Sequence, residues 1–158
     1  MSASSAHPGV GARHHRTPVQ TTALAAGAVF ALVGILGFIP GVTTNYSEMI
    51  FAGPDSGAML LGIFQVSILH NIVHLLFGAA GLLMGRTVTQ SKYFLIGGGA
   101  LYLVLWIYGL LIDQGSAANF VPINTADNWL HAALGIAMIA LGIVLGRGAG
   151  STEHPRAL

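Results

Sequence analysis

Two short segments of this 158-residue chain hold the side chains best suited to chemistry: Asn71-Ile72-Val73-His74 with Gly78 after it, and Asn128-Trp129-Leu130-His131 with Gly135 after it. Both read N-x-x-H-x-x-x-G, and they lie 57 residues apart (128 − 71). The same offset pairs Gly85 with Gly142 and His70 with Asp127. Imidazoles ligate first-row metals and haem iron, and they relay protons near neutral pH. His70 and His74, at i and i+4, leave one helix face about a turn apart. They suit a metal shared with His131 and Asp127, while His74 and His131 suit the two axial positions of a haem b. An Asn or His can equally bridge two helices with no chemistry at all. Three readings therefore stand side by side: a polar core for helix packing or interaction, metal or haem b binding through His70, His74 and His131, and a small transporter or proton relay. No residue is assigned a catalytic role, because nucleophile-elbow, zincin, phosphate-loop and dinucleotide motifs are all missing from the sequence. With no cysteine, disulfides and thiolate metal sites are excluded.

The surroundings of these residues are oily. Hydrophobic types make up 54% of the chain and charged types only 7%, against about 25% charged in a soluble domain. That balance excludes an ordinary water-soluble fold, a disordered chain and a nucleic-acid binder. Four apolar runs, at residues 19–40, 57–85, 93–112 and 128–146, approach the roughly 20 residues that cross a bilayer. The expected fold is all-α: a four-transmembrane-helix bundle over 19–147, a flexible tail at 1–18 and a short tail at 148–158. All six cations (Arg13, Arg16, Arg86, Lys92, Arg147, Arg156) fall on one side of that topology, whereas Glu48, Asp55, Asp113 and Asp127 fall on the other. The positive-inside rule then puts both termini in the cytoplasm. The first run is longer than a signal-peptide core and lacks a small-residue cleavage site, so it reads as a retained anchor.

At about 100° per residue, His70, Asn71, His74, Gly78, Gly81 and Gly85 occupy one arc of roughly 100° on span two. Asp127, Asn128, His131, Gly135 and Gly142 occupy the matching arc on span four. Polar groups facing lipid would go unpaired, and glycines let helices approach closely, as in Gly81-x-x-x-Gly85 and Gly142-x-x-x-Gly146. The expectation is that spans two and four meet along these faces and share the polar core. The two out-and-in hairpins read as parallel repeats about an axis along the membrane normal. The expected partner is the lipid bilayer, with a homo-oligomer open; no cofactor is required.

The pattern Asn71-x-x-His74-Leu75-x-x-Gly78-x-x-Gly81-Leu82, with Asn128-x-x-His131-x-x-x-Gly135, resembles the small four-span bacterial membrane family described as domain of unknown function 4383. The resemblance covers about Val19 to Gly146. Met138 departs from it, standing where a second copy of Gly81 would fall. It implies a multi-pass protein of the bacterial inner membrane and no assigned reaction.

Overall fold

A computed structural model describes residues 15–148, so the expected tails lie almost wholly outside the described residues. Within them the chain is mostly helical: α1 (Pro18–Leu36), α2 (Ile68–Met84), α3 (Val88–Leu111) and α4 (Thr125–Gly148). Helices α1, α3 and α4 are long and apolar enough to cross a membrane, and α2 is apolar but shorter.

Each start is marked by side-chain chemistry. The Gln20 side chain accepts from the Thr17 N–H at 3.0 Å and donates to the Arg86 carbonyl at 2.7 Å, which ties the beginning of α1 to the α2–α3 turn. Ser67 accepts from the His70 N–H at 3.1 Å, and Thr87 from the Gln90 N–H at 3.3 Å. Asn124 and Asp127 form a reciprocal capping pair, each side chain accepting the other's backbone N–H at 3.0 Å. The caps move two boundaries: α3 begins five residues before the expected 93 and α4 three before 128.

The second apolar run is the larger correction. Only Ile68–Met84 of 57–85 is helical. The stretch before it joins a small antiparallel sheet of β1 (Thr43–Thr44), β2 (Met59–Leu60) and β3 (Phe64–Gln65), in the order β1-β2-β3, so the chain is not all-α. Leu61 (φ +55°) and Gly62 (φ +70°) turn β2 back onto β3, and no right-handed helix passes through two left-handed residues. Ala58, Leu60 and Val66 form a small core that packs on Val33 and Leu36 at the end of α1. That helix stops at Leu36, not 40, where the Thr43 hydroxyl donates to the freed carbonyls of Leu36 and Gly37.

Helix α1 packs along α2, and α3 along α4. The two hairpins meet mainly through α1 and α3, whereas α2 and α4 do not form a packed pair. This corrects the expectation that spans two and four share a seam. The small residues face their own hairpin partner instead. A Cβ on Gly27 would come 2.7 to 2.9 Å from backbone atoms of Leu82, Gly81 and Gly78, and one on Gly99 would come 2.7 Å from the Gly135 carbonyl oxygen. Gly85 abuts Leu24, Gly142 abuts Ile96, and Gly146 abuts the alkyl chain of Lys92. The asparagines belong to the same seams: Asn71 rests on Gly37, and Asn128 rests on Gly109.

Candidate functional site

The histidines point away from those seams, into the space between the hairpins. His70 and His74 stack with ring centroids 4.7 Å apart. His131 stands edge-on to Tyr102 of α3 at 5.0 Å. Phe30 of α1 stacks on Tyr102 at 5.4 Å and tilts against His74 at 6.0 Å. The result is an aromatic row of contacts, His74–Phe30–Tyr102–His131.

Protons can be placed from the partners. The His74 Nδ1 lies 3.1 Å from the His70 carbonyl, and the His70 Nδ1 lies 2.9 Å from the Pro122 carbonyl. A carbonyl only accepts, so each Nδ1 carries the hydrogen, and the Nε2 of neutral His74 offers a lone pair. Asp127 is directed elsewhere: its Oδ2 accepts the Gln65 N–H at 2.9 Å and the Asn124 N–H at 3.0 Å.

His70 and Asp127 thus act as cross-braces between the α1–α2 and α3–α4 connections. Pro122 lies 57 residues after Gln65 (122 − 65), as Asp127 does after His70. Each side chain reaches the backbone of the opposite loop. Pro122 has no N–H and offers only a carbonyl, which meets a donor; Gln65 offers its N–H, which meets an acceptor. A direct bond from Gly53 N–H to the Phe120 carbonyl, at 2.8 Å, adds to the clasp.

Two small cavities flank the aromatic row. One, of about 130 Å³, lies between α2 and α3 against Val73, Leu105, Phe120 and Ile123. The other, of about 100 Å³, lies between α1 and α4 below the sheet, against Val33, Leu60, Phe64 and Leu130. His70, His74, Tyr102 and His131 line both. The second cavity shares Val33, His74, Leu130 and Leu134 with an apolar groove of about 330 Å³ that runs along α1 and α4 past Thr22 and Leu141.

Among the described residues, no three His, Asp or Glu side chains gather closely enough to hold a metal ion. The set of His70, His74, His131 and Asp127 is therefore not assembled, and Asp127 is bound to backbone N–H groups instead. Each cavity is also far smaller than the roughly 300–1,000 Å³ of sites for drug-sized ligands.

What remains is a set of polar atoms without partners. His131 is 6% exposed, and its Nδ1 is fully buried with no hydrogen bond, as are the Asn128 Oδ1 and the Trp106 Nε1. The His131 Nε2, the His74 Nε2 and the Tyr102 hydroxyl also have no hydrogen-bond partner among the described residues. Tyr102 and Phe30 were not singled out by the motif. A second offset could have found them: Tyr102 lies 72 residues after Phe30 (102 − 30), as Gly99 does after Gly27 and Gly109 after Gly37.

One family's model, described as a domain of unknown function (DUF4383), matches residues 20–144. No curated protein and no solved structure matches the chain.

Proposed function

We propose that this chain, which belongs to the DUF4383 family, is a four-span inner-membrane protein that binds a small lipophilic ligand in its histidine-lined interior. Asparagine and glycine hold the hairpins; histidine and tyrosine serve the ligand. The observation that carries this reading is His131. A residue whose purpose is to bridge helices has its ring nitrogens paired, whereas His131 lines a cavity with its buried Nδ1 unbonded. Leaving such a group unpaired costs about 1–3 kcal/mol, a cost that a ligand's hydrogen bond offsets.

The membrane setting follows from composition. At 1.5 Å per residue, the 17 residues of α2 reach about 25 Å, the short end of what spans a bilayer. With Arg16, Arg86, Lys92 and Arg147 at one end of the helices, that end faces the cytoplasm. The hairpins arose by duplication. In support, contacts recur at equivalent positions: Gly37 on Asn71 and Gly109 on Asn128, Ala31 on Gly78 and Leu103 on Gly135, Leu24 on Gly85 and Ile96 on Gly142.

Native mass spectrometry of protein taken from membranes in nanodiscs tests the reading. A bound mass of lipid-like solubility that is lost in Leu134→Phe supports it. Apo protein throughout, with His131→Leu destabilised, would return the histidines to a packing role.

A further inference from the structure

Resting on that reading, we infer that the ligand is a single-tailed lipid with a one-ring, hydroxyl-bearing head, the chemistry of a prenylated quinol. Its head sits among His74, Tyr102 and His131, and its tail lies in the groove between α1 and α4.

The argument begins with donors and acceptors. His74 has given its only hydrogen to the His70 carbonyl, so its Nε2 can only accept. Tyr102 brings a free O–H, and neutral His131 brings one donor and one acceptor. A head that only accepts, such as a quinone carbonyl, leaves the His74 Nε2 unpaired. A hydroxyl both donates and accepts: it gives its hydrogen to His74 and receives one from Tyr102 or His131.

Charge narrows the class further. Among the described residues no Lys or Arg lines either cavity or the groove, and Asp127 borders the cavity nearest the groove. Fatty-acid carboxylates and phospholipid phosphates therefore lack a counter-charge and meet a carboxyl group. A neutral head remains.

Shape selects a ring. Both cavities are walled by Tyr102 and the imidazoles of His70, His74 and His131, flat groups against which another ring stacks or stands edge-on. The groove that opens from the smaller cavity is almost wholly apolar, and its wall includes Val29, 56% exposed, and Leu141, 42% exposed. An alkyl or prenyl chain can enter there from the bilayer while its head stays near the outer loops.

Equilibrium binding to the full chain in nanodiscs, with empty nanodiscs as the blank, tests this with four probes: decylhydroquinone kept reduced, its dimethyl ether, decylbenzene and monodecanoylglycerol. The quinol should bind about tenfold more tightly than its ether, the value of one well-made buried hydrogen bond. His74→Leu should bring that ratio towards one. Tyr102→Phe, which removes a single oxygen and is checked for retained helicity, should narrow the ratio without removing the lipid chain's binding. Leu134→Phe should abolish binding of all four. Equal binding of quinol and decylbenzene would overturn the hydroxyl head and leave the cavity's ligand role standing. Tighter binding of monodecanoylglycerol would overturn the ring. No binding by any probe would overturn both the ligand class and the site.

Discussion

The hairpin α1–α2 and the hairpin α3–α4 have the same seam but different fillings. On the side where α2 faces α3, Phe94 lies over Gly81 and Phe77 over Gly98, with the two rings 5.1 Å apart. At the equivalent places where α4 faces α1, Thr22 stands for Phe94, Met138 for Gly81, Leu134 for Phe77 and Ala26 for Gly98. Two aromatic rings set into glycine notches close one side. Smaller side chains over Met138 and Ala26 leave the other with a groove of about 330 Å³. Backbone packing tolerates little change, since interiors are close-packed. Filling residues can vary as compensating pairs, and here that variation opens a path on one side only. Met138, which departs from the spacing set by Gly81, is half of such a pair.

The strongest way to break the comparison is at the seam itself. Gly27→Val and Gly99→Val each drive a side chain into backbone that a Cβ alone would already reach at about 2.7 Å. Each should lower stability by about 1–3 kcal/mol or prevent folding, measured by reversible unfolding in mixed micelles. Gly97→Ala, with nothing within 4 Å of its Cβ, should be neutral. A harmless Gly99→Val would mean that the second seam is not built like the first.

Next come the cross-braces, where the hairpins differ in chemistry. Asp127→Ala leaves the N–H groups of Gln65 and Asn124 without their acceptor and should cost about 2 kcal/mol. His70→Ala removes the donor to the Pro122 carbonyl and strands no N–H, and should cost about 1 kcal/mol. Equal costs would show that the two braces are not the unequal pair described above. Hydrogen exchange at the Gln65 amide, faster in the Asp127 variant, gives a local readout.

The smallest effect on stability should come from the filling. Leu134→Phe copies Phe77 into the open side and should change unfolding free energy by less than about 1.5 kcal/mol, while removing ligand binding. Loss of the fold in this variant would show that the groove is required space and not spare space.

The parts of this architecture that hydropathy and spacing reveal are the helices and the motif. Four apolar runs, the cations at one end and the Asn/His/Gly arcs are all legible because membrane helices have a single period and few charges. The sheet is not, because Ala58, Met59, Leu60, Leu61, Ile63, Phe64 and Val66 keep the run 57–67 apolar. A short apolar run has no period that separates strand from helix. The reversal rests on positive φ at Leu61 and Gly62, and only the glycine signals it. The neighbours of each arc were also hidden. An arc of about 100° is wide enough to touch two elements: Asn71 at one edge rests on α1 and His70 at the other reaches Pro122, so one polar face divides into a seam and a cavity wall.

The division of labour between seam and cavity is tested most directly by the unfolding free energy of His131→Leu, measured beside the parent protein after both are stripped of lipid. Removing the unpaired Nδ1 from a buried position should leave the stripped protein equally stable, or more stable by about 1 kcal/mol or more. A loss of about 1 kcal/mol or more would contradict the account, because it would mean that His131 holds the helices together.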